Sequence, residues 1–157
     1  MNKAQILVKL ERAWNEFNET CAGLSEAEMV EAGVVEDWSI KDILAHVTWW
    51  EEEALKHLPH IAQGGRPPRY SVVYGGIDTF NAQMTELKRD LPLAEVRKQL
   101  AETHNRLVDY IEDAPDELFT SETRFRRRLR LDTYSHYPLH AMAIREWREN
   151  QKISREV

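Results

Sequence analysis

The stretch WSIKDILAHVTWWEEE, residues 38–53, constrains the fold most strongly because it carries a complete helix-start signal. Ser39 can accept a hydrogen bond from the first free backbone N–H groups, and Asp42 can answer it three residues later in a capping box. One face of the predicted helix is apolar apart from three polar side chains, His46, Glu53 and His57. Because an unpaired histidine or carboxylate is costly to bury, this face predicts polar partners elsewhere in the chain.

Other amphipathic segments predict helices that can pack against this one. Residues 2–21, residues 92–114 and the segment from Ser135 onward repeat apolar side chains at spacings of three and four. The helix that starts at Ser39 is expected to run to about Gln63, and a shorter helical pattern resumes near residue 77. Strand signal is nearly absent. The sequence therefore predicts an all-α fold, an antiparallel four-helix bundle, in a single domain spanning residues 1–157.

Irregular segments separate the predicted helices. Residues 64–76, GGRPPRYSVVYGG, cluster glycine and proline and indicate a surface loop. Residues 116–119 indicate one short extra turn. Residues 120–132 lack helical periodicity and carry a crowd of arginines, which favours an extended Arg-rich loop or a short strand before the last helix. The arginines of that loop are Arg124, Arg126, Arg127, Arg128 and Arg130.

The composition excludes several classes of protein. The formal net charge of -6, with 21 basic against 27 acidic side chains, argues against a nucleic-acid partner, so the arginines are interpreted as a solvated loop. A single cysteine, Cys21, excludes an internal disulfide framework and a cysteine-based zinc site. No signal peptide is visible, and no apolar run approaches the roughly 20 residues of a membrane span. We therefore expect a cytoplasmic protein with no membrane partner.

Three histidines form the candidate chemical centre. His136 and His140 are four residues apart, a spacing that puts both imidazoles on one face of a helix. With His46 from the Ser39 helix they predict a divalent metal site with an open fourth position, for which zinc and nickel both remain open. Glu53 is the candidate catalytic residue, as a general base or as an outer partner of the site. The alternative interpretation is two surface histidines and a hydrogen-bonded core histidine.

Aromatic residues and a further histidine indicate a pocket for a small-molecule ligand. Trp50 shares the helical face of His46, and Tyr137 follows His136 directly. His104 lies on the apolar face of its helix, where it can serve the pocket or act as a core histidine with a hydrogen-bond partner. We predict Trp50, His104 and Tyr137 as residues of a substrate pocket.

The sequence also resembles a known group of bacterial helical bundles. WSIKDILAHVTWWEEEAL resembles the second-helix motif of the DinB-like superfamily, and IDTFN, THNRLVDYIEDAPDELF and DTYSHYPLHAMAIREW continue the resemblance in order along nearly the whole chain. Within that superfamily the ClbS/DfsB family is the most similar branch. The resemblance implies a metal site at His46, His136 and His140, since DinB-like proteins often bind a divalent metal through one histidine of the second helix and an HxxxH pair of the last. It also allows a homodimer.

The resemblance and the predicted pocket together leave three alternative functions open. The first is a metal-assisted hydrolase or thiol-dependent transferase that acts on an electrophilic small molecule, in protection against a toxin or xenobiotic. The second is a metal-free hydrolase of the ClbS-like kind. The third is a protein that binds and sequesters the same compound without turnover.

Overall fold

The computed structural model describes residues 1–156, and Val157, the last residue of the predicted domain, lies outside the described part. Within the described part the chain forms eight α-helices and one short 3₁₀ turn, Asp116–Leu118. The 3₁₀ turn confirms the extra turn predicted from the sequence. The helices are α1 Lys3–Glu19, α2 Glu26–Met29, α3 Ile40–Ala62, α4 Tyr70–Val73, α5 Ile77–Lys88, α6 Leu93–Asp113, α7 Arg124–Asp132 and α8 Tyr137–Glu156.

Four long helices close a bundle, which confirms the predicted all-α fold. Helix α1 packs against α8 and α6, and α3 packs against α6 and α8, so the four helices form a ring around one apolar core. Helices α5 and α7 lie against the outside of α3. None of the helices in residues 1–156 is both long enough and apolar enough to cross a membrane.

The neighbours α3 and α6 run in the same direction. Near their starts Lys41 Nζ donates to the backbone carbonyl of Leu91 at 2.9 Å, and further along both helices Glu51 meets His104. Two parallel neighbours cannot be joined by a tight turn, so the bundle needs a long crossover. Residues 63–92, with the short helices α4 and α5, supply it.

Helix α1 runs parallel to α8 and antiparallel to α6. Tyr137, at the start of α8, packs edge-on against Trp14, and the later Arg148 donates to the carbonyl of Thr20, past the end of α1. Lys3, at the start of α1, donates to backbone carbonyls at the end of α6. The bundle is therefore up-down-down-up, and the antiparallel arrangement predicted from the sequence applies to the α1–α6 and α3–α8 pairs but not to the other two.

Helix α3 is the central element because neighbours cover most of its surface. Its start is the capping box predicted from the sequence: Ser39 Oγ accepts from the Asp42 N–H, and the Asp42 carboxylate accepts from the Ser39 N–H. Its end at Ala62, capped by Gln63, matches the predicted length. Because α3 contacts α2, α5, α6, α7 and α8, residues on several of its faces are buried, including polar ones.

The predicted Arg-rich loop is a helix, α7, and this expectation was wrong. Thr123 caps the start, since its Oγ1 accepts from the Arg126 N–H at 3.1 Å. Phe125 and Leu129 are buried four residues apart, which is one helical turn, whereas Leu131 is exposed. Arginine is a good helix former, so the arginines between the apolar residues support the helix and do not interrupt it.

The predicted surface loop of residues 64–76 also contains a helical turn. Helix α4 covers residues 70–73, between the Pro67–Pro68 pair and the two glycines at 75 and 76. Both glycines have positive φ, 83° and 124°, a backbone region that other residues rarely adopt. The turn orients Tyr70, which packs against Trp50 and Phe80.

A buried polar cluster ties three helices together on one side of α3. His104 on α6 contacts Glu51 of α3 through Nδ1 at 3.0 Å and Glu11 of α1 through Nε2 at 2.6 Å. Trp14 stacks on the imidazole with ring centroids 3.7 Å apart. Glu51 is fully buried, and its second oxygen has no hydrogen-bond partner within the described residues. The cluster thus holds a carboxyl group in an apolar environment through one histidine.

The environment of this cluster raises the pKa of both Glu51 and His104. Burial raises the pKa of Glu51 from 4.5 to about 7, although the contact with His104 opposes the rise. Burial lowers the pKa of His104, but the hydrogen bonds and charges of Glu51 and Glu11 outweigh that effect and raise it. Both groups therefore hold protons in the folded chain that the unfolded chain has released. Stability should therefore fall as the pH rises from 4.5, the ordinary pKa of Glu51, through its raised value of about 7.

We expect the free energy of unfolding to fall as the pH rises from about 5 to about 8, by on the order of 1–3 kcal/mol from this cluster. Glu51→Gln should flatten that dependence, because the amide does not titrate. Urea denaturation at several pH values measures it. The matched control is Glu102→Gln, which alters an exposed carboxylate of the same helix as His104. An equally steep pH dependence in Glu51→Gln and in the parent chain would contradict the assignment.

Candidate metal centre and its cavity

The three predicted metal ligands converge at one point between α3 and the start of α8. His46 lies on α3, and its Nε2 is 3.0 Å from Nε2 of His136. His140 Nε2 is also 3.0 Å from His136 Nε2. Among the described residues these three side chains form the group of potential ligands that lie within 4.8 Å of one another.

His136 precedes α8 and does not lie on it as predicted. Helix α8 begins at Tyr137, and the carbonyl of Thr133 accepts from the N–H groups of both His136 and Tyr137 in the preceding turn. Pro138 then occupies the first turn of α8, where its missing N–H costs nothing. The turn keeps the rings of His136 and His140 together, with centroids 4.6 Å apart.

The donor set fits a divalent metal better than a hydrogen-bonded trio. A neutral imidazole Nε2 either donates one proton or accepts at one lone pair, so His136 Nε2 cannot make a full hydrogen bond to His46 and His140 at once. A cation facing three unprotonated Nε2 atoms removes that conflict, and three imidazoles are a usual donor set for zinc or nickel. The Nδ1 atoms of His46 and His136 are buried and find no partner within residues 1–156, so the outer acceptors that commonly orient such ligands are missing.

Burial keeps all three imidazoles neutral. It lowers the pKa of His46 to about 2, with the neighbouring His136 and His140 as further causes. The pKa of His136 falls to about 3 through burial and the neighbouring His140, and that of His140 falls to about 4 through burial. Their lone pairs are therefore free of protons across the physiological range, which is the state a metal requires.

A cavity of about 480 Å³ opens beside the histidines. Trp50, which the sequence analysis proposed as a substrate-pocket residue, lines it. The wall combines aromatic and aliphatic side chains with a few polar groups, as in many small-molecule sites. The lining residues are His46, Trp50, Tyr70, Ile77, Asn81, Arg128, Leu131, Asp132 and His136.

Glu53 lies behind the cavity wall and does not line it. Its Oε1 accepts a hydrogen bond from the Tyr70 hydroxyl at 2.9 Å, and His57 Nε2 is 3.7 Å away. Arg128 donates in turn to the Tyr70 oxygen at 3.0 Å. Of the two roles predicted for Glu53, this geometry suits the outer partner, which positions Tyr70, better than a base in direct contact with ligand.

The carboxylate of Asp132 lines the cavity, whereas that of Glu53 does not. Arg128 Nε donates to Asp132 Oδ2 at 2.6 Å, which orients both side chains. Burial raises the pKa of Asp132 to about 6, although the charge of Arg128 opposes the rise. Arg128 is therefore a half-buried wall residue and not part of the solvated loop expected from the sequence.

His104 and Tyr137 lie outside this cavity, and their prediction as pocket residues needs correction. His104 belongs to the buried cluster with Glu11 and Glu51, the core-histidine alternative that the sequence left open. Tyr137 is fully buried and packs against Trp14 and His104. The first turn of α8 rotates Tyr137 towards α1, away from the side on which His136 meets His46.

Sequence reasoning missed Ile77, Leu131 and four polar wall residues, and a usable signal existed for only one of the polar four. Asp132 stands four residues before His136, so the series Asp132, His136, His140 repeats the spacing already taken as significant. Tyr70 and Arg128 fell in segments interpreted as loops. The role of Asn81 depends on contacts with α3, which periodicity does not reveal.

The fold is similar to solved structures at low sequence identity. One is an uncharacterised protein from Escherichia coli UTI89, with TM-score 0.80 and 16% identity over 96% of this chain and 95% of that chain. Another is DfsB, described as a sibling lethal factor precursor, with TM-score 0.77 and 14% identity over 96% of this chain and 97% of that one. No curated protein matches the sequence.

A third similar structure was solved with a bound partner. It is the colibactin self-resistance protein ClbS in complex with double-stranded DNA, with TM-score 0.76 and 15% identity over 92% of this chain and 94% of that chain.

The resemblance to the DinB-like superfamily, inferred from the short motifs, is confirmed along most of the chain. The sequence profile of the DinB superfamily matches residues 9–146, which include α3, the cavity wall and all three converging histidines. The structural neighbours include ClbS and DfsB. The chain belongs to the DinB superfamily.

Proposed function

We propose that this protein is a metal-assisted hydrolase or transferase that acts on an electrophilic small molecule, as in toxin or xenobiotic resistance. The observation that carries the proposal is the convergence of the imidazoles of His46, His136 and His140. Two of these residues, His46 and His136, line a cavity of about 480 Å³. A bound metal supplies a Lewis acid that polarises the substrate or activates water. His46, His136 and His140 would hold it.

The chain's own residues divide the remaining tasks. Trp50, Ile77 and Leu131 offer apolar surface that excludes water from the body of the substrate. Asp132 is the cavity carboxylate whose raised pKa suits proton exchange near neutral pH, and Arg128 holds it in place. Glu53 acts as a positioning residue, since it fixes the Tyr70 hydroxyl at the wall.

Two alternatives use the same cavity. A metal-free hydrolase would rely on Asp132 and Tyr70 alone, and a sequestering protein would bind the electrophile without forming product. A homodimer is compatible with each of the three functions. Product formation and metal content together distinguish the three.

Metal content is the first test of the proposal. Protein purified without an affinity tag or chelator, and then incubated with zinc or nickel, should retain close to one ion per chain. His136→Ala/His140→Ala should lose the ion, because one remaining imidazole is too few for a stable site. His60→Ala, which removes an exposed histidine outside the cluster, is the control. Elemental analysis measures all three, and equal metal in the double variant and the parent would overturn the site.

Turnover tests the division of roles. With an electrophile identified from a panel of epoxides and activated cyclopropanes, His46→Ala should abolish product formation in the metal-loaded protein. Glu53→Gln should lower kcat by about 10- to 100-fold, as expected for an outer positioning residue, and should leave metal content unchanged. His60→Ala should match the parent. Unchanged turnover in both His46→Ala and Glu53→Gln would mean that this mechanism is wrong.

A second candidate function, contact with DNA, is favoured by a basic surface beside the cavity. Arg66, Arg69, Arg124 and Arg127 are exposed on or near α4 and α7, next to the wall residue Arg128. Arginine side chains bind phosphate through paired hydrogen bonds, and such binding is strongly salt-dependent. The structural neighbour ClbS was solved with double-stranded DNA. DNA that carries or presents an electrophile would then reach the cavity along this surface.

A duplex-binding assay tests this candidate. The dissociation constant for a short double-stranded DNA should rise steeply with salt, and Arg127→Ala should weaken binding and reduce the salt slope by about 1. Arg97→Ala, an exposed arginine on α6, is the control. Equal binding by the Arg127→Ala and Arg97→Ala variants would exclude this surface.

A further inference from the structure

Asn81 is a cavity residue whose side-chain amide is held by two tryptophans of α3. It lies in the second turn of α5 and lines the cavity beside Trp50 and Ile77. Its Oδ1 accepts from Trp49 Nε1 at 3.1 Å and from Trp50 Nε1 at 2.9 Å. One oxygen thus satisfies two indole groups that are almost completely buried.

The two indoles also decide which way the amide faces. An indole N–H can only donate, so the amide atom that it meets must be the oxygen. The two amide orientations are often hard to tell apart, but here the reversed one would set Nδ2–H₂ against two donors and leave both indoles unpaired. The Asn81 amide is therefore fixed with its NH₂ group on the side away from Trp49 and Trp50.

Asn81 lines this cavity and also a neighbouring groove with Trp38, Asp42 and Thr85, and its NH₂ group is a neutral hydrogen-bond donor. No acceptor within residues 1–156 receives a hydrogen bond from Asn81 Nδ2. Two other polar wall groups already have partners: the Tyr70 hydroxyl donates to Glu53, and Arg128 Nε donates to Asp132. A ligand oxygen can therefore approach Asn81 without displacing an existing contact.

We infer that Asn81 is a specificity-determining residue that binds a neutral oxygen acceptor, a ketone, ester or amide carbonyl, of the cavity ligand. The apolar part of that ligand lies on Trp50, Ile77 and Leu131, which line the same cavity. The inference deepens the proposed function, since it rests on this cavity being the substrate site. It requires no metal, because the donor, its two anchors and the apolar wall all belong to the chain.

Trp49 and Trp50 have separate parts in this arrangement. Trp50 both lines the cavity and holds Asn81, whereas Trp49 is outside the cavity lining and acts on the ligand only through the amide. Trp49 is therefore a positioning residue. Its removal should loosen the amide while leaving the cavity surface in place.

The test compares two probes of equal shape on metal-free protein. Acetophenone carries a carbonyl, and α-methylstyrene replaces that oxygen with a CH₂ group. Ligands of this size bind with dissociation constants in about the millimolar range, so NMR titration of the ¹⁵N-labelled protein measures both. The Trp50 indole N–H resonance should shift with either probe, which reports that the cavity is occupied. No shift from acetophenone at about 10 mM would overturn the inference.

Asn81→Asp is the matched variant, because its carboxylate oxygen still accepts from both indoles while the NH₂ donor is lost. The affinity for acetophenone, relative to that for α-methylstyrene, should fall by about 3- to 10-fold in Asn81→Asp. Asn150→Asp, the same change at an exposed position on α8, controls for added charge and should leave the ratio unchanged. Trp49→Phe should lower the ratio by less and should broaden the Asn81 amide resonances.

An unchanged ratio in Asn81→Asp, with the Trp50 resonance still responding to both probes, would overturn the inference. The outcome is separable from that of the metal proposal. Carbonyl preference in a chain that binds no zinc or nickel would keep the Asn81 site and remove the metal mechanism. Metal binding without carbonyl preference would keep the metal mechanism and remove the Asn81 site.

Discussion

The structure depends on the pairing of polar groups that α3 carries into the interior. Each neighbouring element supplies a partner for a different one of them. Asn81 of α5 meets the indoles of Trp49 and Trp50, and His104 of α6 meets Glu51. The turn α4 brings Tyr70 to Glu53, and the turn before α8 brings His136 to His46. Because unpaired buried polar groups are costly, these pairings specify where each neighbour can dock.

Helix α3 thereby separates two polar systems with different chemistry. On one side, the contacts of His104 with Glu11 and Glu51 connect α1, α3 and α6 and raise the pKa of His104. On the other side, three neutral imidazoles meet beside a cavity whose carboxylate, Asp132, is held by Arg128. No residue of the first system lines the cavity, whereas His46, His136 and Asp132 of the second do.

Much of the fold and part of the candidate site followed from the sequence. The Ser39–Asp42 capping box and the spacing of apolar residues are local features, so the start of α3 and the helical bundle were predictable. The grouping of the histidines was predictable as well, because the HxxxH spacing and the histidine at position 46 on an apolar helix face can be seen in the sequence. The extended loop at residues 120–132 was a wrong prediction. Its arginines obscured the single buried pair, Phe125 and Leu129, that makes α7 amphipathic.

By itself the sequence determined the elements, their caps and the residues with ligand chemistry, because these depend on neighbours within a few positions. Only the tertiary structure decided which polar groups face each other. The direction of the chain through the crossover sets α3 parallel to α6, and this places His104 on Glu51 and outside the cavity. The turn at Thr133 lets His136 reach His46 while Tyr137 enters the core. Periodicity fixes a side chain's position on its own helix, but its partner is set by the rotation and direction of the helix packed against it.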